Sequence, residues 1–189
     1  KLKDGCGKFL KDVQVVNTAM FDHVVPSAVK MLLDLVIQRA EKKRRDLKRP
    51  GRKESAKVKP EPQRGDEDSE DGKTSSSETE IAVHIAFTGG NSIRKVAMQF
   101  AELLREPREG LPDRIVFHTL VSTPESEELK NDPNAFLIYF VTDPPLPVKT
   151  NFVRLRAPGF VDNKKYQELL ESDEIRHALA QVNDVDIIV

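Results

Sequence analysis

The stretch Ile81–Leu104, IAVHIAFTGGNSIRKVAMQFAELL, constrains the fold more than any other part of the chain. Ile81, Val83, Ile85 and Phe87 alternate with Ala82, His84 and Ala86, as in a short strand covered on one or both faces. Gly89-Gly90 break the run, and Asn91 or Ser92 is placed to cap a helix. Ile93, Val96, Ala97, Phe100, Ala101 and Leu104 then recur at helical spacing. A buried strand, a glycine turn and an amphipathic helix in that order call for a sheet with the helix laid on it. The turn also aims free backbone N–H groups and the positive end of a helix dipole at one point, which suits a phosphate or carboxylate. Taken alone, a Gly-Gly pair is read more simply as a tight connection that needs glycine for backbone reasons.

The same alternation runs through the rest of the chain. Lys11–Val16 (KDVQVV) reads as a first strand, and Ser27–Glu41 as a helix with Ser27 near its cap and Val29, Leu32, Leu33, Val36, Ile37 and Ala40 on one face. Asp113–Ser122 reads as a strand. The apolar half of Ser126–Val141 reads as helical if that element is a crossover, and Asp143–Lys149 as a proline-rich link. Asn151–Leu155 comes next as a strand. Asn163–Val182 is a helix broken at Ser172-Asp173, and Val185–Val189 is a last strand. The order predicts an α/β fold: a three-layer, mostly parallel Rossmann-like sheet with helices on both faces. The turns Thr88–Ser92, Ser122–Glu125 and Arg156–Phe160 are expected at the carboxyl ends of the strands, where ligands bind in such sheets.

Residues 42–80 break the pattern. Lys42–Arg64 holds eleven Lys/Arg against Asp46, Glu54 and Glu61, a net of +8, and Asp66–Glu80 holds seven Asp/Glu against Lys73, a net of −6. With almost no apolar residues, the segment cannot offset its ordering entropy and is expected to be a disordered insertion in one domain spanning 1–189. Its basic half could meet nucleic-acid phosphates, but mutual attraction between two solvated halves is the simpler reading. Overall the 189 residues carry a net charge of −1, with 38% hydrophobic residues and a single cysteine, Cys6, which excludes an internal disulfide or a cysteine metal cluster. No apolar run approaches the roughly 20 residues that span a bilayer and no signal peptide opens the chain, so a soluble, cytoplasmic protein is expected. The absence of an initial Met and a last strand that stops at Val189 suggest a fragment of a longer protein.

With its elements in this order, the chain resembles the sugar-binding effector domain of SorC/DeoR-type bacterial transcriptional regulators. The likeness rests on LKDVQVV with its adjoining helix, on FTGGNSIRKVAMQFAELL, on NDPNAFLIYF, and most of all on RLRAPGFVDNKKYQELLESDEIRHALAQVNDVDIIV. It implies a fold shared with ribose-5-phosphate isomerase, glucosamine-6-phosphate deaminase and the CoA transferases, and a domain that binds a phosphorylated sugar as a homo-oligomer. The phosphate would lie on Thr88, Gly89, Gly90, Asn91 and Ser92. DNA would be met only through a helix-turn-helix domain not visible in this sequence. The chain departs from that pattern at three places. Asn91-Ser92 replace the usual hydroxyl pair, Ser122-Thr123-Pro124 stand where an arginine is common, and residues 42–80 have no counterpart.

Ser122 and Arg156, at the ends of the next two strands, are further candidates for the anion, Arg156 as a bidentate clamp; Arg154 is read as solvated. His84 and His118 read as satisfied core histidines, and His23 and His177 have no ligand partner nearby in sequence, so neither a metal nor a cofactor is expected. Asp132, Asp143 and Asp162 fit turns. No nucleophile–base pair stands out, so a sensing domain is favoured over an isomerase or deaminase, or a degenerate domain that has lost its ligand.

Overall fold

The computed structural model describes residues 24–48, 79–121, 131–157 and 161–189. Four parallel strands form one sheet in the order β3-β2-β1-β4: β1 Ala82–Phe87, β2 Arg114–Thr119, β3 Lys149–Val153 and β4 Ile187–Ile188. The expected strand Lys11–Val16 lies outside the described residues, as does Ser122.

Alternation sorts the sheet into two faces. On the first, Val83, Ile85 and Phe87 of β1 and Ile115 and Phe117 of β2 are fully buried. They share one apolar cluster with α1 (Val24–Leu47), α2 (Asn91–Leu103) and the short helix α3 (Pro133–Phe136), which tightens into a 3₁₀ turn at Leu137–Phe140. Phe117 anchors it: its ring lies 3.9 Å from Phe140, 5.7 Å from Phe87 and 6.0 Å from Phe152, centroid to centroid. On the second face, α4 (Asn163–Leu170) and α5 (Asp173–Ala180) return the chain to β4. A cavity of ≈180 Å³ between this layer and the sheet is lined by His118, Thr119, Val153, Leu155, Ala178 and Val182. Helices therefore cover both faces, as the alternation predicted.

Several boundaries differ from those the sequence suggests. α1 begins at Val24, with Pro26 in its first turn, where a missing N–H costs nothing, rather than at a Ser27 cap. It also runs through Leu47, so the charged stretch does not leave the fold at Lys42. Lys43 Nζ donates to the Ala82 carbonyl (2.8 Å) and to Asp186 (2.6 Å), while Arg44 donates to the carbonyls of Gly110 (3.1 Å) and Leu111 (2.6 Å). These cations, which the helix dipole favours near its C-terminal end, tie that end to β1, to the entry of β4 and to the turn before β2. At the other end of the charged stretch, Glu80 pairs with Arg114 (2.5 Å) and Lys149 (3.0 Å), which lower its pKa, the Lys149 hydrogen bond most. Residues 49–78, between these anchors, lie outside the described residues. β3 starts two residues earlier than its sequence suggests and ends at Val153. The break in the last helix falls at Ser172, as expected, but the Ser172 side chain makes no capping bond. Asp162 does cap α4, accepting from the Lys165 N–H at 2.7 Å.

Candidate functional site

The sheet order places the glycine turn. From β1 the chain steps to β2 and β3 over the first face, then crosses back over the second face to β4 on the other side of β1. The carboxyl end of β1 is thus where the strand order reverses, the position at which open α/β sheets form a ligand crevice. Thr88–Ser92 occupy that position.

Gly90 is the N-cap of α2, with φ 119° and ψ 157°, a backbone state open to glycine and strained for other residues. The expected Asn91 or Ser92 cap is therefore corrected: no side chain caps α2. A cap residue must sit outside the helix, and both Asn91 and Ser92 are already in its first turn. The first helical bond runs from the Arg94 N–H to the Gly90 carbonyl (3.0 Å), which leaves the N–H groups of Asn91, Ser92 and Ile93 ahead of it at the exposed helix end. Arg94 folds back over this end, its guanidinium donating to Asn91 Oδ1 at 3.0 and 3.4 Å. Replacing Gly90 by Ala meets no neighbour within 4 Å, so the cost is conformational. Gly90→Ala is expected to lose about 1–3 kcal/mol of stability, read as a lower urea midpoint at unchanged slope.

The first half of the loop is committed to the protein itself. The Thr88 N–H (3.0 Å) and hydroxyl (2.9 Å) both donate to the Val189 carbonyl, and the Gly90 N–H donates to the Asn131 carbonyl (3.0 Å). A Cβ at Gly89 would come to 3.1 Å from that same Asn131 oxygen, a tight approach that favours glycine. Of the residues picked from sequence, Asn91 and Ser92 thus present the open donors, and Thr88, Gly89 and Gly90 hold the turn in shape. Arg156 has its ion-pair partner away from the loop. It leaves β3, two strands along from β1, and faces Glu174 of α5 at 3.7 Å.

Sequence reasoning missed the polar network that backs this edge. Asp132, almost buried, caps α3 by accepting from Asn134 N–H (2.9 Å) and Nδ2 (3.1 Å). Asn134 Nδ2 also donates to the Leu155 carbonyl (3.2 Å) and its Oδ1 accepts from the Thr119 hydroxyl (3.1 Å). Thr119 in turn accepts from the Leu155 N–H at 2.8 Å. The network ties the exits of β2 and β3 to α3, and through Asn131 to the glycine turn. Thr119→Val keeps the shape but strands the Leu155 N–H, so a loss of about 1–3 kcal/mol is expected in chemical unfolding.

His84 and His118 are more than separate core residues. They stand on adjacent strands with Nδ1 of His84 2.9 Å from Nε2 of His118, one ring donating and the other accepting. Burial, then the neighbouring His84, pushes His118 down to about 4, and burial also lowers His84. Among the described residues no group of three or more His, Cys, Asp or Glu is placed to hold a metal, and no helix is long and apolar enough to cross a membrane.

The chain matches no protein-family model and no curated protein sequence. Solved structures similar to it include two transcriptional regulators. One, from Shigella flexneri, is described as a sor operon regulator; it is 14% identical, with a TM-score of 0.42, covering 56% of this chain and 42% of that one. The other is described as a SorC family transcriptional regulator from Enterococcus faecalis, 16% identical, with a TM-score of 0.41, covering 59% of this chain and 41% of that one. The chain thus spans about two fifths of the length of each.

Proposed function

We propose that this chain is the small-molecule sensing part of a transcriptional regulator, and that it holds an anionic ligand, a phosphorylated sugar, at the start of α2. The observation that carries the reading is the placement of a strained glycine turn and an uncapped, exposed helix N-terminus at the point of strand-order reversal. The resemblance of its sequence stretches to SorC/DeoR effector domains supplies the ligand class and the regulatory role. In this reading Asn91 and Ser92 give main-chain and side-chain donors, and Arg94, which lies against Asn91 Oδ1, gives the charge that the absent arginine near Ser122 does not. Sensing would come from differential binding, the anion favouring one arrangement of the domain and its oligomer over another.

Asn91→Asp tests this without disturbing the fold, because a carboxylate in the first turn is favourable to the helix. Calorimetric titration with ribose-5-phosphate and glucosamine-6-phosphate is expected to give at least one saturable isotherm that weakens about ten-fold or more in the variant. Equal affinity in both proteins would reject the site.

One observation favours a second reading, a domain that has lost its ligand: the Asn131 carbonyl already occupies the Gly90 N–H. Absence of binding by every sugar phosphate, with a stable fold, is the outcome that reading expects.

A further inference from the structure

The second face of the sheet is covered more thinly than the first. α4 buries no residue, and the 3₁₀ turn Gln181–Asp184 that follows α5 buries none. α5 itself buries only Ile175 and Ala178. Beneath this layer is the cavity of ≈180 Å³, to which Ala178 contributes a single methyl group and the buried His118 and Thr119 of β2 contribute their side chains. Val153, Leu155 and Val182 supply most of the remaining wall.

The lining decides what the cavity can hold. None of its side chains is an acid, a lysine or an arginine. The Thr119 hydroxyl is committed within the protein, donating to Asn134 Oδ1 at 3.1 Å and accepting from the Leu155 N–H at 2.8 Å. Nε2 of His118 meets Nδ1 of His84 at 2.9 Å. Burial, then the neighbouring His84, lowers the His118 pKa to about 4, so its ring is neutral at pH 7. A water molecule needs about two to four polar partners, and a wall of Val, Leu and Ala does not provide them. An apolar cavity of about 150 Å³ stays dry and admits benzene, and this one is slightly larger. An ion entering it would lose its hydration and meet no opposite charge.

We infer that this cavity is a binding site for a small uncharged apolar molecule, about the size of a single aromatic ring. Neither Thr88–Ser92 nor Arg94 lines it, so it is separate from the anion site and does not rest on the proposed function. Val182 is 44% exposed and Leu179 38%, which brings one wall to the protein surface. Entry then requires movement of the thinly packed second layer, where few buried apolar contacts make local opening least costly.

Methyl NMR of the full chain, titrated separately with benzene and with benzoate, tests the site. Benzene is expected to shift the Val153, Leu155 and Val182 methyl signals to saturation and to raise the melting temperature, while Val83 and Ile115 in the first-face core stay in place. Benzoate, the same ring with a charge, is expected to bind at least about ten-fold more weakly. Ala178→Leu puts a branched side chain into the space and is expected to weaken benzene binding at least about ten-fold, with the melting temperature of the free protein unchanged or raised. Val182→Phe, at the partly exposed wall, repeats the test if Ala178→Leu does not fold. No saturable shift, shifts centred on the first-face methyls, benzoate binding as tightly as benzene, or unchanged benzene affinity in a folded variant would overturn the inference.

Discussion

Phe117→Ala is expected to lose about 3–5 kcal/mol, a large share of the stability of a domain this size. Phe117 is fully buried at the centre of the sheet, and its ring meets three others, Phe140, Phe87 and Phe152. These come from the 3₁₀ turn after α3, from β1 and from β3, so truncation opens a cavity where three parts of the molecule converge. The neighbours cannot collapse into it without giving up their own stacking, which puts the cost at the upper end for such changes. Chemical unfolding monitored by circular dichroism measures it. Phe152→Ala, at a half-buried position on edge strand β3, should cost distinctly less.

Acid is expected to weaken the fold before any carboxylate titrates widely. His118 is 2% exposed and its pKa is lowered from 6.5 to about 4, so the unfolded chain takes up the proton first as pH falls. The contribution is therefore fully present above about pH 6.5 and is lost progressively as pH drops toward 4, by at most about 3 kcal/mol. His84 acts in the same direction, its pKa lowered first by burial and then by Lys43, against opposing pulls from Asp184 and Asp186. The pair also shares one N–H···N bond, which cannot survive protonation of both rings. Melting temperature recorded from pH 7.5 to 4.5 should fall across this range, and His118→Gln, which retains a donor and acceptor but no titration, should flatten the slope. A profile unchanged by His118→Gln would contradict the assignment.

The central strand, turn and helix were legible because apolar spacing encodes which face a residue must bury. β1 came out within one residue of its expected ends and α2 within two. What spacing cannot encode is the partner across the fold. His84 and His118 share a face by alternation, but only the β1–β2 register, with His118 beside Ala86, brings them within 2.9 Å. The Asn131 carbonyl on Gly90 comes from about 40 residues downstream, and nothing local marks it. The last two turns of α1 read as part of a solvated charge run because Lys43 and Arg44 look like their neighbours. Their role as tethers of the helix emerges only when Ala82, Asp186, Gly110 and Leu111 are in place. Arg156 shows the same limit: a suitable side chain at a strand end says nothing of its neighbour, which in the fold is Glu174 of α5 at 3.7 Å.

A sugar phosphate held at the start of α2 is what would make this domain a sensor. The most direct measurement is calorimetric titration of the full chain with ribose-5-phosphate, glucosamine-6-phosphate and their unphosphorylated sugars, in parallel with Asn91→Asp. The predicted result is saturable binding of at least one phosphate ester, none of its parent sugar, and a loss of affinity in the variant with its melting temperature unchanged or raised. Silence across the panel, or binding of the sugars without regard to phosphate, would contradict it.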